Sequence, residues 1–201
     1  MSVSPQEVSA VLLAGGQSRR FGGRDKALLP WGDRTLLEHL VDRLHAVFED
    51  RVLLSAPRNR NYPTAVPRVE DRYPGAGPLA GIHAAFKRLR TPYLLVLACD
   101  LPFVSEAFLR WLAVHPPAEA VVPTVNAQPM PLCARYSRTA LEPLVVSLKL
   151  GAFRVLDWLQ TLEVELIPLE SSPFSPEVLF NINTPADYER ARHLAASGTL
   201  S

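Results

Sequence analysis

The chain has 201 residues, 48% of them hydrophobic and 20% charged, with a formal net charge of +1. That length suits one domain with a substantial core. The near-zero charge excludes a whole-molecule field that would draw the protein onto nucleic acid or an anionic membrane, so neither is expected as a partner.

Two cysteines, Cys99 and Cys133, are too few for a disulfide scaffold and lack zinc-site spacing. Free thiols in apolar surroundings suit a reducing compartment. Residues 1–6 show no signal pattern, and no apolar run approaches the ~20 residues of a membrane span. A cytoplasmic location is expected.

The near-continuous apolar run from Glu7 to Ala14 predicts a strand covered on both faces, ended by Gly15 and Gly16. After a Gly- and Arg-rich loop, Leu36, Leu37, Leu40, Val41, Leu44 and Val47 recur at helical spacing, predicting a helix from Arg34 to Phe48. Strands are expected at Arg51–Ser55 and Ala65–Val69, with Pro57–Pro63 a surface loop between them. Pro78 opens a helix carrying Leu79, Ile82, Phe86 and Leu89 inward. Tyr93–Ala98 is the clearest strand, and Ser105 caps the helix beyond it.

Further strands are predicted at Glu119–Pro123, Pro131–Tyr136 and Glu163–Leu169, and helices at Thr139–Leu148 and Phe153–Leu162. Thr184, Pro185 and Asp187 signal the start of a last helix. Alternating strands and helices imply right-handed parallel crossovers, hence an α/β fold in three layers.

In open α/β sheets ligands bind beyond the carboxyl ends of the strands. Two loops there carry chemistry. The first runs from Leu13 to Lys26 as Leu-Ala-Gly-Gly-Gln-Ser-Arg-Arg-Phe-Gly-Gly-Arg-Asp-Lys. Its glycines let backbone N–H groups form an anion nest, while Arg20 and Lys26 supply charge for a triphosphate. Read alone, such a loop is either that or a solvated surface loop. It fits neither the Walker pattern nor the dinucleotide fingerprint.

The second loop, Cys99-Asp100-Leu101-Pro102, places Asp100 where an apolar run ends. There the carboxylate either binds a divalent cation such as Mg²⁺ or makes local turn bonds. Asp71 suits a ribose or base contact, or a turn. Gly77 and Pro78, ahead of a helix, suit close approach to a nucleotide, or tight loop packing. No histidine pairs with a Cys or Ser that would suggest a nucleophile.

With these residues in view, the sequence resembles the molybdenum cofactor guanylyltransferases of the nucleotidyltransferase superfamily. Residues 13–26 resemble that family's signature loop. Glu70-Asp71, Gly77-Pro78-Leu79-Ala80-Gly81, Cys99-Asp100-Leu101-Pro102, Pro131-Leu132-Cys133-Ala134 and Asn181-Ile182-Asn183-Thr184-Pro185 follow in the family's order. The resemblance implies a Rossmann-like nucleotidyltransferase fold with a mostly parallel mixed sheet. It implies a single domain over residues 1–201, with 7–105 the nucleotide-binding half and 106–201 the acceptor half.

The implied activity is transfer of GMP from GTP to molybdopterin, with pyrophosphate released and Mg²⁺ as the metal. The resemblance assigns the nucleotide to Leu13, Ala14, Gly15, Lys26, Asp71 and Asp100, with Asp100 also meeting Mg²⁺; the reading of the residues adds Gly16, Gly77 and Pro78, and Ser55 stands at a further nucleotide-contacting position. The resemblance gives Asn181 and Asn183 the acceptor side, while the catalytic roles of Lys26, Arg20 and Asp100 are expected from the charge each can place on a triphosphate or its metal. It also implies transient contact with proteins of cofactor synthesis or with acceptor proteins. Ser55 departs from the family, which often has asparagine there, and Phe21 replaces a more usual methionine. A transferase using CTP or a sugar-phosphate acceptor, or a non-catalytic nucleotide-binding module, are the rival readings.

Overall fold

The computed structural model describes residues 2–15 and 21–197. Among the described residues, ten strands and six α-helices follow in chain order. The strands are β1 (Val8–Leu13), β2 (Pro30–Trp31), β3 (Arg34–Thr35), β4 (Val52–Ser55), β5 (Arg68–Val69), β6 (Tyr93–Ala98), β7 (Ala120–Val125), β8 (Gln128–Pro129), β9 (Cys133–Ser137) and β10 (Val164–Pro168). The helices are α1 (Leu36–Phe48), α2 (Pro78–Arg88), α3 (Glu106–Ala113), α4 (Leu141–Lys149), α5 (Val155–Leu159) and α6 (Pro185–Ala196).

The main sheet has the order β10-β7-β9-β6-β1-β4-β5, with β8 paired to β7. Pairs β1–β4, β1–β6, β4–β5 and β7–β10 are parallel, while β9 runs antiparallel to both β6 and β7. The expected α/β fold with a mostly parallel sheet is what the chain adopts.

All six residues of β1 are buried because the strand is covered on both sides. Val8, Ala10 and Leu12 face one core with α1, α3 and α6, while Val11 and Leu13 face a second core with α2, α4 and α5. β6 divides in the same way, with Leu95 and Leu97 on the first side and Leu94 and Val96 on the second. The period-two alternation of the strands thus builds three layers from one continuous apolar run.

Local sequence sets the helix starts. Thr35 Oγ1 accepts from the Glu38 amide at 3.2 Å, and Glu38 Oε2 accepts from the Thr35 amide at 2.8 Å. This capping box starts α1 at Leu36 rather than Arg34, because Arg34 and Thr35 pair with Pro30 and Trp31 in a small hairpin. Ser105 caps α3 through the Phe108 amide, and Thr184 with Asp187 caps α6, both as expected.

Several predicted segments contract. The 65–69 strand is only Arg68–Val69, since Pro67 brings no N–H and contributes just its carbonyl, bonded by Leu54. The strand predicted at 119–123 shifts to 120–125, and that at 131–136 shifts to 133–137. The 153–162 helix reduces to five residues, its first turn beginning only after Arg154 in extended geometry. The 139–148 helix starts at Leu141, after a 3-10 turn over Arg138–Ala140.

Candidate active site

Strand register fixes the site. Val69 pairs with Ser55, Ser55 with Leu13, and Leu13 with Ala98, so four carboxyl ends form one row. The segments leaving that row carry Gly15, Asp71 and Asp100. Beside them, the Ala98 amide donates to the Leu132 carbonyl at 2.8 Å, extending the row to the approach of β9.

A cavity of about 440 Å³ opens on this edge. Leu13, Gly15, Lys26, Ser55, Asp71, Gly77, Pro78 and Asp100, all expected at the site, line it. Ala14 does not line it: its side chain is 1% exposed and faces the first core, while its carbonyl meets Tyr62. Gly16 and Arg20 lie outside the described residues.

Asn181 and Asn183 are also absent from the cavity wall, because their segment lies behind Lys26 and Asp100 and is bonded there through its backbone. The Ile182 amide donates to the Asp100 carbonyl at 2.9 Å, and Lys26 Nζ donates to the Ile182 carbonyl at 2.9 Å. The two asparagines therefore flank the Lys26–Asp100 pair without lining the cavity.

Two opposite charges meet at the centre. Lys26 Nζ lies 2.7 Å from Asp100 Oδ2, with side-chain exposures of 14% and 17%. Asp100 Oδ1 is buried and has no hydrogen-bond partner among the described residues. A buried carboxylate oxygen with spare acceptor capacity is the feature a hard cation needs. No three His, Cys, Asp or Glu side chains converge among the described residues. A cation here would rest on Asp100 together with oxygens brought by substrate.

Asp71 stands exposed at the rim, and the surrounding wall raises its carboxyl above the usual range by desolvation. Burial also pushes up the Cys99 and Cys133 thiols, so neither is a thiolate nucleophile. Gly77, before α2, has φ +58°, a backbone region that glycine adopts at little cost.

Sequence reasoning gave no role to Asp25, whose side chain is 7% exposed and which also lines the cavity. Its only signal was its place beside Lys26 in the motif. Tyr62, assigned to surface loop, is 5% exposed and hydrogen-bonded to Asp25 at 2.7 Å. One aromatic residue in a Pro- and Arg-rich stretch gives no periodic signal.

Comparison with known proteins agrees with this geometry. The family described as MobA-like NTP transferase domain matches residues 10–164. A probable molybdenum cofactor guanylyltransferase of Carboxydothermus hydrogenoformans is 33% identical over 189 residues, covering 92% of this chain and 95% of that one. A molybdenum cofactor guanylyltransferase of Desulfosudis oleivorans is 31% identical over 96% of this chain and 98% of its own. Among solved structures, molybdopterin-guanine dinucleotide biosynthesis protein A from Archaeoglobus fulgidus superposes with a TM-score of 0.79 at 26% identity. That match covers 94% of this chain and 99% of the other. With Leu13, Gly15 and Lys26 lining the same cavity as Asp100, the chain belongs to the MobA-like NTP transferase family.

Proposed function

We propose that the protein transfers GMP from GTP to molybdopterin, releasing pyrophosphate and forming molybdopterin guanine dinucleotide. The observation that carries this reading is Lys26 Nζ set 2.7 Å from Asp100 in a half-enclosed cavity, with the second oxygen of Asp100 buried and unmet among the described residues. A metal-bound triphosphate brings the complement of both groups, anionic oxygens for the lysine and a cation for the carboxylate.

Asp100 would hold the metal, which we take to be Mg²⁺. When bound, it neutralises charge on the α-phosphate. A terminal phosphate oxygen of molybdopterin attacks the α-phosphorus in line, forming one P–O bond as the bond to the β-phosphate oxygen breaks. The nucleophile is already anionic, so the chain need not supply a general base. Lys26 stabilises the departing pyrophosphate, and the buried backbone around Leu13 and Ala14 fixes the floor on which the nucleotide lies. Arg20 shares the charge on pyrophosphate.

Gly77 and Pro78 admit the nucleotide at close range, Ser55 offers a single hydroxyl, and Asp71 meets its base or ribose end. All the cavity residues except Leu132 fall between positions 13 and 100, which supports assigning residues 7–105 to the nucleotide and 106–201 to the acceptor. Asn181 and Asn183 belong to that acceptor side. The two buried, unpaired thiols support a cytoplasmic setting.

Pyrophosphate release in the presence of GTP, molybdopterin and Mg²⁺ is the test. Thermal shift supplies the second arm: GTP with Mg²⁺ at 100 times its Kd stabilises by ~2.7 kcal/mol. A larger shift with CTP would overturn the guanine assignment, and absence of pyrophosphate would overturn the transfer.

A further inference from the structure

At the cavity wall, Asp25 joins Arg60 and Tyr62 in a cluster with no part in the chemistry above. Asp25 Oδ2 accepts from the Tyr62 hydroxyl at 2.7 Å and from Arg60 Nη1 at 2.7 Å. Its Oδ1 accepts from the Ala27 amide at 3.1 Å, capping the 3-10 turn Lys26–Leu28. Both oxygens are therefore engaged, which separates Asp25 from Asp100 although the two share one cavity. The Tyr62 hydroxyl also lies 2.8 Å from the Ala14 carbonyl, at the point where the chain leaves β1.

The loop bearing Tyr62 is braced in turn. The Arg68 guanidinium donates to the Arg60 carbonyl at 2.8 Å and sits 5.8 Å from the centre of the Tyr62 ring. The single proton of the phenol is shared between the Ala14 carbonyl, where the loop departs, and the Asp25 carboxylate, where it returns, so one hydroxyl touches both ends. The residue that follows Asp25 is Lys26, whose ammonium meets Asp100.

Resting on the guanylyl-transfer reading, we propose that Tyr62 and Asp25 are positioning residues. They clasp the two ends of the 14–26 loop and so hold the Lys26 turn at the distance a triphosphate requires. Neither reaches the reacting atoms; Tyr62 acts through Asp25, and Asp25 through the turn that carries Lys26. Small displacements of a charge-positioning group cost large factors in binding and rate. Burial and the neighbouring Asp25 carboxylate both push the Tyr62 phenol upward, so it keeps its proton throughout the working range.

The test uses the full chain with Tyr62→Phe, which keeps the ring against Arg68, and Asp25→Asn, which keeps the volume of the carboxylate. Amide hydrogen exchange over residues 27–29 reads the clasp without any nucleotide, and it should quicken in both variants while exchange over β1 and β6 stays as in the parent. Calorimetric titration with GTP and Mg²⁺ should show a Kd roughly tenfold higher, as expected for loss of a hydrogen bond to a charged group. The KM for GTP should rise alike, with the KM for molybdopterin within about twofold, a split that general destabilisation does not produce. Tyr62→Phe/Asp25→Asn should bind GTP no more weakly than the weaker single variant, because both cut one link.

Unchanged exchange, an unchanged Kd for GTP, equal loss for both substrates or full additivity would each overturn the clasp. If the parent chain itself failed to bind GTP with Mg²⁺, the transferase reading would fall instead. Exchange over residues 27–29 would still decide whether the clasp holds the turn.

Discussion

At the level of single side chains, the two oxygens of Asp100 face different demands. Oδ2 pairs with Lys26, while Oδ1 is buried without a partner among the described residues. Replacing Asp100 by Asn keeps the shape and removes the charge that both a metal and Lys26 require. Turnover with GTP and molybdopterin at ordinary Mg²⁺ is expected to fall ~100-fold or more, the scale for losing one preorganised charge contact. Wild-type turnover in Asp100→Asn would remove the metal assignment. Lys26 and Asp100 were legible in the sequence because each is a charge placed where an apolar run or glycine loop ends. Tyr62 was not, since its meaning lies in a contact with Asp25 across 37 residues. Asn181 and Asn183 were legible as neighbours of the site but not in their orientation, which is set by the bonds of Ile182 to Asp100 and Lys26.

At the level of elements, β1 and β6 could be read almost to the residue, because burial on both faces leaves an unbroken apolar signature between charged or glycine stops. β5 was overread, since Pro67 permits only a two-residue pairing. The close approach of α2 to the strand ends was legible only as a glycine. A Cβ at Gly81 would sit 2.3 Å from Ser55 Oγ and 3.1 Å from both Ser55 Cβ and Leu13 Cδ2. Gly81→Ala should therefore displace two cavity residues and weaken GTP binding severalfold, despite a helix-propensity gain of up to ~1 kcal/mol. Ser55→Ala in the same chain removes the shortest contact and should restore part of the affinity. Calorimetric Kd values for the parent, the single and the double variant check this, and an unaffected single variant would show that helix and strand can part without reaching the site.

The start of α6 carries a pH signature of the same scale. Asp187 accepts from the Thr184 and Asn183 amides at 2.7 and 3.0 Å. Hydrogen bonding at Thr184 lowers its carboxyl below the ordinary 3.8. A lowered folded pKa means the contribution is present above the unfolded value and disappears as pH falls through the folded one. Asp187→Asn should thus lower Tm at pH 7, with a capping contact worth about 1 kcal/mol and ~2–4 °C on a chain of this size. The difference from wild type should begin to narrow once pH falls below 3.8 and close as pH passes the lowered folded value. A gap that persisted in acid would assign the loss to something other than the charge of the cap.

For the molecule as a whole, the parallel strands deliver their carboxyl ends to one edge, and the antiparallel β9 joins this half to β7 and β10. Arg135, in the middle of β9, is 0% exposed. Its guanidinium donates to the carbonyls of Ala113, His115 and Pro116 at 2.9, 2.5 and 2.6 Å, and lies 4.7 Å from the centre of the Tyr93 ring. Those carbonyls belong to the end of α3 and the chain leading into β7, so one cation replaces the water that the crossover would otherwise need. Burial lowers its pKa, yet an arginine stays charged at any physiological pH. Arg135→Leu fills much of the volume but removes the donor from three carbonyls; that of Ala113 is buried and costs ~1–3 kcal/mol if left unsatisfied, while those of His115 and Pro116 are open to water. Partial relaxation and the apolar gain of leucine offset some of this, leaving an expected loss of ~1–3 kcal/mol, or roughly 2–12 °C in Tm. GTP affinity of the folded fraction should be unchanged, because Arg135 lines no part of the nucleotide cavity. Thermal unfolding with and without GTP separates the two effects. A loss below about 1 kcal/mol would show that water can enter the crossover and that the join between the halves does not depend on this side chain.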